Sequence, residues 1–283
     1  MSVDTMTTSH GDALAKTRPR RRFVTRDRLA DWSAVLATFV VVVGGWEAIV
    51  RLRDVSEIVL PPPSLVASKL YDGLVHGTFL ENLRYTMTET VLGFAIAAAL
   101  GIVLGALVSE IRWIRRAVYP YIVAFQTVPK IALAPLLVIW FGFGMTSKVI
   151  VAVTVAFFPV IVNTIEGLQN TDAQRIDMIR AMGAGRFEVF RRVKLPSALP
   201  YIFAGLDAAI VLSLLGAVVG EFMGARAGLG NQILVFNAVL DIGGSFAVLV
   251  LLSVIGYLLH LVLVAVQRRV VFWTRVNSVS GGS

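Results

Sequence analysis

No cysteine occurs among the 283 residues, which removes disulfides, thiolate nucleophiles and cysteine metal sites and leaves the redox compartment unmarked. Charge is scarce as well: 16% of residues are charged, against about 25% in a soluble domain. His10, His76 and His260 are scattered without metal-ligand spacing. No nucleophile–base pair and no helical His-Glu-x-x-His stands out, so no catalytic residue, no metal site and no cofactor in this chain are expected. There is also no Gly-x-x-x-x-Gly-Lys-Ser/Thr loop, so the chain has no usual means of cradling ATP phosphates. Gly142-Phe143-Gly144 supplies glycines but no following Lys-Ser.

What fills the space is apolar. Hydrophobic residues make up 57% of the chain and the mean hydropathy is +0.77. Six segments approach the ~20 apolar residues a spanning helix needs: 32–50, 86–108, 118–141, 149–165, 199–222 and 245–266. The expected fold is an all-α membrane protein of about six transmembrane helices. The first run is too long for a signal h-region and is expected to stay as the first span. Between the first two spans Leu60-Pro61-Pro62-Pro63 opens a connection in which 64–75 reads as an interfacial helix.

The net charge of +8 sits between the apolar runs, where membrane topology places it, and no nucleic acid partner is expected. With the N-terminus inside, nineteen of the 26 Lys and Arg residues fall on the cytoplasmic side and six outside; Lys130 lies within a span. Both termini are therefore expected in the cytoplasm. The expected organisation is a basic tail at 1–31, a transmembrane permease domain at 32–275 containing a cytoplasmic loop at 170–197, and a short tail at 276–283.

The fourth-to-fifth connection, 170–200, is far longer than the 2–8 residues usual between packed helices. Its apolar residues are periodic. Ile176, Ile179 and Met182 recur every three residues, as do Phe187, Phe190 and Val193, so each trio marks one face of a short helix. Asn170, Thr171 and Asp172 offer N-capping oxygens, while Gly183 and Gly185 permit the turn that ends the first helix. Leu195-Pro196 is expected to close the second helix before the fifth span. A basic amphipathic hairpin on anionic lipid is the simpler reading of such a loop.

Residue-level resemblance points further. Asp177-Met178-Ile179, then Gly183, then Val193-Lys194-Leu195-Pro196 is similar to the EAA motif of ABC-importer permeases: Glu-Ala-Ala, three residues, Gly, nine residues, Ile-x-Leu-Pro. Three other stretches resemble nitrate/sulfonate/taurine-type permeases: Leu60-Pro61-Pro62-Pro63-Ser64, 129–136 followed by Trp140-Phe141-Gly142-Phe143-Gly144, and Gly228-Leu229-Gly230. The resemblance runs from about Trp32 to Arg275. It implies the permease fold of a type I (MetI-like) importer in the plasma (inner) membrane. It also implies a second permease subunit forming a homodimer, two cytoplasmic ABC ATPase subunits that bind ATP and Mg, and an extracytoplasmic solute-binding protein. Carried over by position, Asp177, Met178, Ile179, Met182, Gly183, Ala184, Leu195 and Pro196 form the ATPase-docking segment. The acid is one methylene shorter than the family's and the small pair is bulky. At Asp207 relatives more often carry a basic residue.

Charges within spans are costly and point to function. Lys130, flanked by Pro129 and Pro135, is either a cation lining the translocation path or its gate, or a lysine tied to the carbonyls those prolines free. Glu221, at the end of the fifth span, is either an outer-gate residue or the polar end of the helix. Around it, Gly216-x3-Gly220 reads as close helix packing at a permease dimer interface, and Gly101-x3-Gly105 as packing alone. His260 reads as a packed histidine. An ion-coupled secondary transporter is the rival class; it calls for inverted repeats and paired midplane carboxylates, whereas Asp207 stands as the only acid well inside a span.

Overall fold

A computed structural model describes residues 24–273, with side chains from Ser33 onward. The basic residues of 1–23 and Arg275 lie outside the described residues. The described chain is helical: α1 (Val24–Leu52), α2 (Pro63–Val75), α3 (Phe79–Glu110), α4 (Arg112–Gln126), a 3-10 turn (Lys130–Leu133), α5 (Ala134–Phe141), α6 (Met145–Gln169), α7 (Ala173–Ala181), α8 (Arg186–Val189), α9 (Leu195–Phe222), α10 (Leu229–Ala238) and α11 (Ile242–Val270). Five helices are long and apolar enough to cross a membrane. The α4–α5 pair, bent by 85°, makes a sixth span if counted as one. This agrees with the expected six, with the third span broken where its prolines lie.

The core is α6, packed between α3 and α9. Along α3, Gly93, Ala97, Gly101 and Gly105 recur every four residues and face Ala152, Ala156, Val160 and Thr164, which recur every four along α6. Such small-residue stripes let two backbones approach closely where no water drives association. A methyl on Gly101 would sit 2.7 Å from Val160 Cβ, and one on Gly105 2.8 Å from Thr164 Cβ. On the other side, a methyl on Gly216 would lie 2.7 Å from Ala152 Cα and one on Gly220 3.0 Å from Lys148 Cα. The Gly216/Gly220 stripe therefore packs within this chain against α6, which corrects its assignment to a dimer interface.

The loop differs from expectation in one half. α7 ends where expected, but no break follows Val193. Residues Arg186–Phe222 run as one 37-residue helix, so the second loop helix is the N-terminal extension of the fifth span. Pro196 lacks an N–H and its ring would crowd the carbonyl four residues back. A π-turn over Phe190–Lys194, with Leu195 N–H donating to Phe190 O, widens the helix just before it and absorbs the misfit.

At the opposite end, α2 and α10 cover the bundle. Glu47 of α1 accepts from Ser64 N at 3.0 Å and Ser64 Oγ at 2.8 Å, setting a carboxylate at the N-terminus of α2, where unpaired N–H groups favour it. Lys69 of α2 pairs with Asp241 at 2.7 Å, and Asp241 caps α11 by accepting from Gly244 N at 2.9 Å. Burial alone would raise the Asp241 pKa. The Lys69 and Gly244 hydrogen bonds and the Lys69 charge outweigh that and hold it below its usual 3.8. A lowered folded-state pKa means that this contribution is present above the ordinary aspartate pKa and is lost as pH falls through the depressed value. Asp241→Asn should thus lower the thermal unfolding midpoint at neutral pH, by no more than about 1 kcal/mol for so exposed a pair. The difference from the parent protein should vanish in acid; an equal difference at both pH values would reject the linkage.

Candidate functional site

Three features occupy the two ends and the middle of the bundle. The first is a buried polar knot opposite the α7 end. Gly228, Leu229 and Gly230 begin α10, and a glycine N-cap has no side chain to satisfy the first N–H groups. Side chains from other helices do so instead. Gly228 N donates to Asn82 Oδ1 (2.7 Å), Leu229 N to Thr86 Oγ1 (2.9 Å) and Gly230 N to Glu221 Oε2 (2.5 Å). Thr86 Oγ1 in turn donates to Glu221 Oε1 at 2.7 Å. Glu221 is fully buried; its carboxylate meets the positive end of α10, which favours its charge. Gly228 holds φ +119° and a methyl there would fall 2.1 Å from Glu221 Oε1, so only glycine lets the loop approach. The Gly228-Leu229-Gly230 stretch thus has a physical explanation.

Beside this knot, Lys148 of α6 pairs with Glu89 of α3 at 3.1 Å, both almost wholly buried. Both were missed as site residues. Lys148 reads in sequence as an outside-loop charge, but α6 begins at Met145 and takes it into the first turn. Glu89 lies within the second apolar run, and with Glu221 it corrects the view that Asp207 is the only acid well inside a span. The available signal was the cost of a charge in an apolar stretch. Asp207 and His260 pair with each other at 2.6 Å, linking α9 to α11, with Tyr257 stacked on the imidazole.

The second feature is the break in the third span. Pro129 is the N-cap of the 3-10 turn that starts at Lys130, and Pro135 sits in the first turn of α5. Pro129 offers no N–H to the preceding turn. Lys130 Nζ donates to the Gln126 carbonyl at 3.0 Å and stands 4.6 Å over the Phe158 ring. Lys130 has no carboxylate partner among the described residues. It lines an open groove of about 470 Å³ with Gln126, Phe158, Pro159, Asn163 and Leu212. Pro129 and Lys130 both line this groove, and Glu221 and Pro135 do not.

The third feature is α7. Asp172 caps it, accepting from Gln174 N at 2.9 Å, and Gly183 ends it at φ +88° with Ala184 N donating back to Ile179 O. Asp177 is exposed, as are Met178 (60%) and Met182 (77%). Ile179 is half-buried and faces a pocket shared with Val193 and Pro196. The outward apolar pair is therefore Met178 and Met182, one turn apart. Leu195 and Pro196 are half-buried at the helix's lower end.

The sequence profile of the family described as "Binding-protein-dependent transport system inner membrane component" matches residues 78–272, the greater part of the chain. The chain belongs to that family. This permease is 33% identical over 262 residues to the riboflavin transport system permease protein RibX of Chloroflexus aurantiacus, covering 92% of this chain and 97% of that protein. It is 39% identical over 213 residues to the formylaminopyrimidine transport permease protein ThiX of Halalkalibacterium halodurans (75% and 84% covered). With the taurine transport system permease protein TauC of Escherichia coli it shares 31% over 243 residues (84% and 88%). Among solved structures, a chain of the inward-facing MetNI methionine ABC transporter superposes with a TM-score of 0.59 at 22% identity, covering 68% of this chain and 95% of that one. That likeness establishes a MetI-like fold. The protein is an integral membrane permease subunit of an ABC transporter.

Proposed function

We propose that this permease imports a small organic solute delivered by an extracytoplasmic solute-binding protein, driven by two cytoplasmic ABC ATPases that bind ATP and Mg and dock on α7. Both termini lie in the cytoplasm of a plasma-membrane complex, and a second copy of the chain completes it. One observation carries this reading: α7 leaves Asp177, Met178 and Met182 exposed at the foot of a continuous helix, Arg186–Phe222. At 1.5 Å per residue that helix spans roughly 55 Å. In its last turn Glu221 is pinned to α3 and α10. A push on α7 is thus delivered through Gly183 to a stiff rod whose far end is anchored. The relatives named for riboflavin, formylaminopyrimidine and taurine share this scaffold across unlike solutes, which supports assigning selection to the binding protein.

Replacing Gly183 by leucine forces a side chain into the left-handed region and shifts α7 relative to the rod. Uptake should fall at least about tenfold, a loss equivalent to about 1.4 kcal/mol of coupling, while membrane insertion and ATP hydrolysis by the complex persist. Asp177→Arg should behave alike. Near-normal uptake by Gly183→Leu would sink the docking assignment, and uptake that follows the proton gradient but not ATP would favour ion coupling.

The groove at Lys130 is the proposed path. Lys130→Met removes the cation and its carbonyl bond without adding volume to the core. Transport should drop several-fold, on the order of 1 kcal/mol, with expression unchanged. Unaltered uptake kinetics would place Lys130 in a purely structural role.

A further inference from the structure

At the α7 end of the bundle two cavities meet. One, of about 530 Å³, is polar and basic: Arg112 and Arg115 of α4, Arg180 of α7, Arg186 of α8 and Lys194 line it, with Glu110 the one acid. Glu110 is already taken by Lys194 at 2.6 Å. The four arginines have no ion-pair partner among the described residues. The other, of about 550 Å³, is an apolar groove that shares Glu110 and Arg186 with the first. It runs up the spans between Val103 and Leu107 of α3 and Leu168, Phe190, Leu195 and Ile202. From Ile102 to Glu110 the groove follows α3 for about 12 Å, so its upper part lies at hydrocarbon depth and its mouth at the membrane surface.

We propose that these joined cavities bind one anionic phospholipid, its phosphate among Arg112, Arg115 and Arg186 and an acyl chain along the Leu107–Ile202 groove. Each half selects against another occupant. A free phosphate makes no use of the apolar groove, and a docking protein's acidic surface cannot enter hydrocarbon depth. A zwitterionic lipid would bring its own cation into a pocket already lined by four arginines, whereas a basic pocket between spans favours an anionic headgroup. Guanidinium groups meet phosphate oxygens bidentately, which favours arginine at such a site. The bound lipid would add a further link between α3, α4 and the start of the long helix, beside the Glu110–Lys194 pair. This inference does not depend on what drives transport.

The test is native mass spectrometry of the full-length chain from mixed micelles of phosphatidylglycerol and phosphatidylcholine in equal amounts. The parent protein should retain about one phosphatidylglycerol, preferred at least about tenfold over phosphatidylcholine. Arg112→Ala with Arg115→Ala should abolish the preference. Leu107→Trp should fill the groove and reduce retention with all arginines present, and Arg112→Lys with Arg115→Lys should keep a weakened preference for phosphatidylglycerol, since charge stays and the bidentate contacts go; that separates loss of the site from loss of the fold. Equal retention of the two lipids, or full retention by Leu107→Trp, would overturn the proposal. Displacement by excess inorganic phosphate would reduce it to a phosphate site, and displacement by added ATPase subunits would give the pocket to the ATPase; either outcome rejects a bound lipid.

Discussion

Gly228→Ala should cost most of the stability of this permease. Two penalties fall on one methyl. At φ +119° an L-side chain is strained, by about 1–2 kcal/mol as judged from the left-handed helical case. The new Cβ would also lie 2.1 Å from Glu221 Oε1 and 2.3 Å from its Cδ, so the carboxylate must leave its place. It would then lose the Gly230 N–H and Thr86 O–H bonds, charge-assisted bonds worth about 1.5–3 kcal/mol each. The combined loss is on the order of 4–8 kcal/mol, in the exceptional class for a point change. Thermal unfolding in detergent, followed by tryptophan fluorescence, should show a midpoint drop of many degrees and poor recovery of inserted protein. Gly183→Ala is the control, because Gly183 is also left-handed but has open space around it. It should lose only about 1–2 kcal/mol locally. Equal effects of the two substitutions would reject the packed contact with Glu221.

The second large effect is expected at Lys148. Lys148→Met removes the one cation paired with Glu89 among the described residues, where the Glu89 side chain is 1% exposed, and leaves two neighbouring carboxyl groups, Glu89 and Glu221, in the same buried region. Breaking one side of such a pair costs about 3–5 kcal/mol, because the remaining charge is neither solvated nor paired. Removing both charges is far milder by the same reasoning, so Glu89→Gln with Lys148→Met should recover most of the loss. A double-mutant cycle on unfolding midpoints measures the coupling. A single Lys148→Met variant within about 0.5 kcal/mol of the parent would show that the pair carries no structural weight. If the double variant folds normally but transports poorly, the pair has a role in transport beyond stability.

These two sites and the α7 foot sit at opposite ends of one helix, which gives the proposed coupling its mechanical sense. The upper end is held by hydrogen bonds that leave no slack, with Glu221 closing the N-terminus of α10 as a cap supplied from another helix. The lower end widens through the π-turn over Phe190–Lys194, the one place along the rod where the backbone ladder changes register. π-turns within helices often mark functional positions, and this one lies between the exposed face of α7 and the core.

Local features were legible because their causes are local. Apolar length gave the spans, and Asp172 and Gly183 gave the bounds of α7 through a cap and a left-handed residue. Pro129 and Pro135 gave the break at Lys130 by removing backbone donors. The expected closure at Leu195-Pro196 failed for an equally local reason: a proline in a first turn needs only a widened turn before it, and a π-turn leaves no mark in composition. What stayed hidden depends on which faces meet. Glu89 and Lys148 are 59 positions apart in sequence, and only the parallel packing of α3 on α6 brings them within 3.1 Å. The Gly216/Gly220 stripe signals close packing but cannot name its partner, which proved to be α6. His260 and Asp207, read separately, found each other across α9 and α11.

By itself, then, the sequence determined that this chain is a helical membrane protein of the permease family, with a capped loop helix at α7 and a proline-broken third span. Those properties follow from hydropathy, backbone chemistry and motif spacing, each acting over a few residues. Tertiary structure alone decided that the loop's second helix continues into the fifth span, that Glu221 caps α10, and that the arginines of α4 and α8 converge beside an apolar groove. The reason is physical: pairing of buried charges and the shape of a groove are set by helix rotation and register, which small-residue contacts between distant segments fix.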